Sequence, residues 1–297
     1  MRNFYKQSDI FICKHDIHKH FSSKMSVYHI LEEKKCYPDG CVYFRWKCKT
    51  LAKKKKCHRN FSTVGKHCFS CSHFYEEKIH QFPQFNINEN EKNTFFEQYS
   101  EFVEWIDSLE NKRVFCEGTI NSVLPGFTVN KKNEKLNIGI NGFLVTFKEG
   151  FIEDQHFEDS FYLHIDSMQQ NKFKLKENDE IEFKAILKII DGRLELFYAK
   201  HFNFYIRGKS KPLLRSDLLV SLNTATTFDT QHEKCKSCSL SVTPRIHNNH
   251  AGKNRVLICS KGINDPELCL EHIERVEKNC DICDNDKVNT VNCHRAL

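Results

Sequence analysis

The chain lacks what would carry it into or across a membrane. No apolar run approaches the roughly 18 residues that a membrane span needs. The N-terminal MRNFYKQSDIF has no long apolar stretch behind its charges, so a secretory signal is not supported. Recognisable catalytic patterns are missing as well. There is no glycine-rich phosphate loop, no GxSxG, no HExxH, and no H-x-E with the PCxxC of a zinc deaminase. Asp154, Glu158 and Asp159 surround His156, but between two strands such a cluster reads as a solvated loop rather than a magnesium site. With no nucleophile and base at recognisable spacing, no catalytic residue is assigned and the expectation leans away from an enzyme. A soluble, intracellular protein with no membrane partner is expected, cytoplasmic or nuclear.

What the chain has in excess is cysteine: 15 in 297 residues. In a secreted protein these would form disulfides, whereas in a reducing cytosol close cysteine pairs more often hold metal. The densest stretch is CYPDGCVYFRWKCKTLAKKKKCHRNFSTVGKHCFSCSHFY, with Cys36, Cys41, Cys48, Cys57, Cys68 and Cys71. Pro38-Asp39-Gly40 is a turn that can bring Cys36 and Cys41 toward one ion. Cys68 and Cys71 form a tighter knuckle, and a tetrahedral Zn²⁺ takes two ligands from such a turn. His58, His67 and His73 are candidate substitutes. Too few apolar residues surround these thiols for a buried core. An iron–sulfur cluster at this N-terminal site is the competing cofactor, though the spacing matches neither common ferredoxin pattern. Upstream, Cys13, His15, His18 and His20 are read as incidental members of a polar, partly flexible arm over residues 1–35, in which Met25 is a candidate internal start.

Charge is placed unevenly. Residues 1–80 hold 17 Lys+Arg against 7 Asp+Glu, a formal +10; residues 81–112 hold 2 against 7, or −5; residues 113–210 are balanced at 14 each. The basic footprint of a nucleic-acid binder therefore lies on the N-terminal cysteine-rich module. Lys53, Lys54, Lys55 and Lys56 run between Cys48 and Cys57, with Arg45 and Arg59 nearby, as a candidate phosphate-tracking loop. Residues 81–112 are a linker, Pro83 and Asn86–Asn93, and then an amphipathic helix over Glu91–Asn111, capped by Asn93 or Thr94 and docked on the neighbouring domain.

From Arg113 to Arg207 the pattern is that of strands: RVFCEGTI, LNIGINGFLVTF, FYLHI, EIEFKAILKII and RLELFYAKHFNFYI. Ile181, Phe183, Ala185, Leu187 and Ile189 alternate with charged residues, a period of two. Asp191-Gly192 supplies a hairpin turn whose central positions need φ > 0. Five strands with the segment Ser167–Asn178 between the third and fourth resemble the OB-fold, a small Greek-key barrel. That resemblance implies a binding surface on the second and third strands and adjoining loops. It selects Lys131, Lys132 and Lys135 after the first strand, with Phe127 and Phe143 near them, and Tyr162 as an outward-facing aromatic for base stacking. Phe147, Phe183 and Phe197 are assigned to the core.

Residues 211–297 open with a short helix, Lys211–Asn223, and a Thr-rich linker. Cys235-x-x-Cys238 and Cys280-x-x-Cys283 follow, too far apart for a compact ribbon. A strand, RVLIC, and a helix starting at Asp265-Pro266 fill the gap, so the module resembles the broad zinc-ribbon and treble-clef group. Cys259, Cys269, His272, Cys293 and His294 are alternative ligands, with Cys269 read as core.

The expected fold is α+β: a central five-stranded OB-like barrel over 113–210, Cys-rich metal-binding modules at 1–80 and 211–297, and a few helices. Zn²⁺ at two or more sites is the expected cofactor. The expected function is non-catalytic binding of single-stranded DNA or RNA. The rival readings are a zinc-stabilised adaptor with protein partners in a larger complex, and an iron–sulfur protein.

Overall fold

The computed structural model describes residues 1–15, 24–132, 135–228, 233–236, 238, 240–247 and 255–269. Strands dominate and helices are few. The chain divides into two compact units: Met1–Glu110 with the turn Ile189–Arg193, and Asn111–Lys188 with Leu194–Leu297. Among the described residues no helix is long and apolar enough to cross a membrane.

The first unit contains β1 (Phe11–Ile12), β2 (Lys24–Met25), β3 (Cys41–Cys48), α1 (Lys49–Ala52), β4 (Phe74–Gln81), β5 (Gln84–Phe85) and α2 (Glu89–Leu109). Helix α2 starts a turn earlier than its apolar stripe suggests. Asn88 accepts from the Glu91 amide at 3.0 Å and Glu91 accepts from the Asn88 amide at 2.9 Å, a capping box that replaces Asn93 or Thr94 as cap. The helix buries Phe95, Phe102 and Ile106. Phe102 lies 5.7 Å from Phe4 and 5.0 Å from Tyr5 between ring centroids. Each aromatic buried this way contributes about 1.5–3 kcal/mol. The polar-arm reading therefore fails over residues 1–15, where Phe4, Tyr5, Ile10, Phe11 and Cys13 are all buried. Nor are Pro83–Phe85 a free linker, since Pro83 is buried and β5 pairs with β1. The turn of this unit, Asp191-Gly192, has φ of 51° and 75°, positive at both positions as its type requires, and Gly192 accepts from Asn3 at 3.1 Å.

The second unit is built on β6 (Arg113–Lys132), β7 (Lys135–Phe147), β8 (Gly150–Ile152), β9 (Gln155–Phe157), β10 (Phe161–Ile165), α3 (Ser167–Phe173), β11 (Glu180–Ile190) and β12 (Arg193–Ile206). The strands β6-β7-β10-β12-β11 close into a ring through the β11–β6 pairing, with β10 and β12 parallel and α3 in the connection from β10 to β11. The interior is apolar and aromatic: Phe147 stacks on Phe161 at 4.6 Å and on Phe183 at 5.8 Å. Phe127 and Phe143 belong to buried cores too, so they are not exposed stacking partners for the lysines. Strand β6 runs on past Pro125-Gly126, well beyond the stretch RVFCEGTI that the sequence marks as the first strand. Register shifts at Ile120/Ser122 and Pro125/Phe127 absorb the proline within the strand, placing Lys131 and Lys132 in β6 rather than in a loop. The acidic stretch around His156 is a hairpin, β8–β9, with Ile152 and Phe157 buried.

After the ring come α4 (Arg215–Thr224), β13 (Thr226–Phe228), α5 (Glu233–Lys236), β14 (Ser241–Val242), β15 (Ile246–His247) and β16 (Leu257–Cys259). Strand β15 pairs with β6, and β16 lies between β13 and β14. A second core joins this segment to the outside of the ring. Val242, Ile246, Val256 and Ile258 pack with Leu124, Phe127, Val129 and Leu144, with Ile138, Ile140 and Tyr162 at the margin.

Candidate metal centre and nucleic-acid interface

Strands β3 and β4 form a separate two-stranded sheet in which Phe44 faces Lys78, Val42 faces His80 and Trp46 faces Glu76. Alternation along β3 is strict: Cys41, Tyr43, Arg45 and Lys47 are half-buried, while Val42, Phe44 and Trp46 are exposed at 49%, 58% and 40%. The period of two thus lays apolar side chains in a row on the solvent face. Phe69, itself 52% exposed, extends the row, its ring 4.9 Å from Trp46 and nearly perpendicular. Arg45 lies on the opposite face, hydrogen-bonded to the Tyr43 hydroxyl at 3.2 Å and 3.8 Å from Glu77.

The row ends at a cysteine-lined cavity. Cys48, Cys57, Cys68 and Cys71 all line it, with Thr50, Leu51, His58, Arg59, Phe61 and Phe74. The Leu51 amide directed at the Cys48 sulfur lowers that thiol below its ordinary value, aided by the Thr50 amide and hydroxyl. The Arg59 amide donates to Cys57 Sγ at 3.4 Å. Amide donors aimed at sulfur favour the thiolate, which is the metal-binding form. At the knuckle, the Cys71 amide bonds the Cys68 carbonyl and the Phe74 amide bonds the Cys71 carbonyl, both at 2.9 Å. Four cysteine sulfurs around one cavity match the donor set of a structural zinc. Even so, among the described residues no three His, Cys, Asp or Glu side chains already stand in metal-holding geometry.

Lys53, Lys54, Lys55 and Lys56 are all exposed on the loop between Cys48 and Cys57. Arg59 is spent partly on structure, donating to the His67 carbonyl at 3.0 Å.

Cys36 and Cys41 stand apart from this cavity. Gly40, at φ 74°, makes their turn; a Cβ there would meet the Gln81 carbonyl at 2.8 Å. Burial pushes the Cys36 thiol up to about 11, with Cys41 and Cys13 adding to the shift. Cys13, expected to be incidental, is buried beside them, and the His15 ring lies tilted against Tyr43 with centroids 3.9 Å apart. His18 and His20 lie outside the described residues.

In the second unit, Tyr162 and His164 point away from the ring interior while Phe161, Leu163 and Ile165 point in, as the alternation implies. That outer face is nonetheless covered. Tyr162 packs against the core supplied by Val242, Ile246, Val256 and Ile258. His164 Nε2 lies 2.9 Å from Glu195 and its ring stacks on Phe197 at 4.4 Å. Lys131, Lys132 and Lys135 stand at the end of the β6–β7 hairpin. Cys235 is buried and Cys238 half-buried; Cys280 and Cys283 lie outside the described residues.

Sequence places Trp46 and other aromatics beside the lysine run; that Phe44, Trp46 and Phe69 share one exposed row comes from the fold. The signal of that row was present in CVYFRWKC, where apolar and polar residues alternate between two cysteines. No family model, curated protein or solved structure matches the chain.

Proposed function

We propose that the chain is a non-catalytic, zinc-stabilised protein that binds single-stranded nucleic acid through its first unit, with an OB-like barrel as the scaffold of the second. The observation that carries this reading is the exposed row Phe44, Trp46 and Phe69 running into a cysteine-lined knuckle whose loop bears four exposed lysines. Bases stack on exposed aromatics for about 1–3 kcal/mol each, and lysines follow the phosphates. A zinc ion held by Cys48, Cys57, Cys68 and Cys71 would order the lysine loop before the strand arrives, so less entropy is lost on binding. The ring order and its parallel β10–β12 pair support the OB-like assignment. The face that assignment offers to ligands is covered by the chain's own C-terminal segment. For that reason binding is assigned to β3 and β4, and Tyr162 is withdrawn as a contact.

The test is fluorescence anisotropy with labelled single-stranded DNA and RNA oligonucleotides over a salt series. Salt-dependent binding that is lost when Lys53, Lys54, Lys55 and Lys56 are replaced by Gln supports the reading. Absence of binding at low salt contradicts it.

The rival reading is a zinc-stabilised adaptor with protein partners in a larger complex. Co-purification of a stoichiometric partner together with absence of oligonucleotide binding would favour it.

A further inference from the structure

The sequence spacing pairs Cys235 and Cys238 with the second CxxC at Cys280 and Cys283. The fold instead carries two other cysteines to the first pair. The Cys238 amide bonds the Cys235 carbonyl and the Ser241 amide bonds the Cys238 carbonyl, both at 3.2 Å. This repeats, bond for bond, the backbone pattern at Cys68 and Cys71. The Leu240 amide donates to Cys238 Sγ at 3.4 Å, as the Arg59 amide does to Cys57.

Cys259 is brought alongside by strand pairing. Ser241 is its direct partner across β14 and β16. The Ser241 hydroxyl bonds the Cys235 and Cys238 carbonyls, and the Ser260 amide and hydroxyl both bond the Leu240 carbonyl, at 3.0 and 2.8 Å. Cys269 arrives by a different route. Asp265 caps the turn Pro266–Leu268, after which the Cys269 amide bonds the Pro266 carbonyl at 3.4 Å. Lys234, next to Cys235, bonds Glu267 at 2.6 Å and ties the two segments together. Cys235 and Cys269 are both buried, and Cys238 and Cys259 are half-buried.

We propose that Cys235, Cys238, Cys259 and Cys269 form a four-thiolate zinc site, and that Cys280 and Cys283 are not its ligands. Binding would draw the sulfurs onto one centre from positions where no such geometry yet stands. The physical need is plain. Among the described residues the segment after α4 has short strands and a small core, and a metal clamp stabilises such a module where apolar area alone is scarce. The Glu267–Lys234 pair is exposed, so it positions the turn but contributes little energy by itself. The assignment does not rest on nucleic-acid binding and uses a different unit of the protein.

The test uses the full chain purified with zinc. Native alkylation with N-ethylmaleimide, followed by peptide mass spectrometry before and after chelation, should show Cys235, Cys238, Cys259 and Cys269 protected together and released together. Cys280 and Cys283 should react at the rate of free thiols in both states. C280S/C283S should keep the zinc content of the parent, whereas C259S and C269S should each lose about one equivalent. Alkylation needs no variant, so a C259S chain that fails to fold leaves the result readable. Protection of Cys280 and Cys283 with free reaction of Cys259 and Cys269, or full reactivity of all four in zinc-loaded protein, overturns the site. C48S and C71S report on the knuckle of the first unit alone, so either outcome is separable from that proposal.

Discussion

Arg255 reaches Glu195 at 3.2 Å, joining the approach to β16 to the beginning of β12. The other carboxylate oxygen of Glu195 is 2.9 Å from His164, so one buried acid is held between a guanidinium and an imidazole. Burial alone would raise the Glu195 pKa. The His164 hydrogen bond and the Arg255 charge outweigh it, and the net shift is downward. Removing Arg255 strands a buried charge, which costs about 3–5 kcal/mol when no partner remains. Because His164 remains, R255A is expected near the lower end, read as a shift in urea midpoint.

The same pair sets an acid limb. A folded-state pKa below the unfolded value means the stabilisation is complete above the ordinary glutamate value of about 4.3 and is lost as pH falls through the depressed one. Urea midpoints measured from about pH 5 downward, through the ordinary glutamate value and below it, should therefore fall less steeply for E195Q than for the parent. Equal slopes would show that the pair carries no proton linkage.

Phe44 and Trp46 are predicted to be stacking residues. F44A and W46A should each weaken single-strand binding by about 1–3 kcal/mol, with melting temperature little changed because both side chains are exposed. Trp46 emission should also change on oligonucleotide addition. Unaltered affinity in both variants would remove β3 from the interface.

The lysine loop is expected to act by counterion release. For single strands the slope of log K against log salt changes by about 0.7 for each phosphate contact. Replacing Lys53, Lys54, Lys55 and Lys56 one at a time by Gln should flatten the slope in steps of that order. A weaker complex with an unchanged slope would point to misfolding of the loop.

Gly142 tests the ring. It has φ 70°, and a Cβ there would sit 2.2 Å from the Ile165 carbonyl, against backbone that cannot yield. G142A combines left-handed strain of about 1–2 kcal/mol with that clash. A large loss of stability is expected by thermal denaturation; parent-like stability would mean that β7 and β10 are not paired as described.

Local chemistry made much of the fold legible. The alternation Ile181–Ile189 and the turn Asp191-Gly192 depend on neighbours in sequence, and both appear where the pattern puts them. What escaped depended on distant partners. The first strand reads as RVFCEGTI alone unless β7 is there to hold a bulged continuation through Pro125. Phe4 and Phe11 read as an arm until α2 offers its stripe. Tyr162 was correctly turned outward, yet no spacing rule could announce that Val242 and Ile258 would cover that face. In the site, cysteine density was plain but the grouping was not, because Cys13 and Cys269 reach other sulfurs only through the fold.

The central claim is that an ion held by Cys48, Cys57, Cys68 and Cys71 orders a basic loop beside an aromatic row for single-stranded nucleic acid. The most direct measurement is oligonucleotide affinity of the full chain, with its metal content, before chelation, after it, and after zinc is restored. The account predicts zinc in the purified protein, binding that chelation abolishes, and recovery on adding zinc back. A folded protein that contains neither zinc nor iron, with those four thiols freely reactive and its affinity unchanged by chelator, would contradict it.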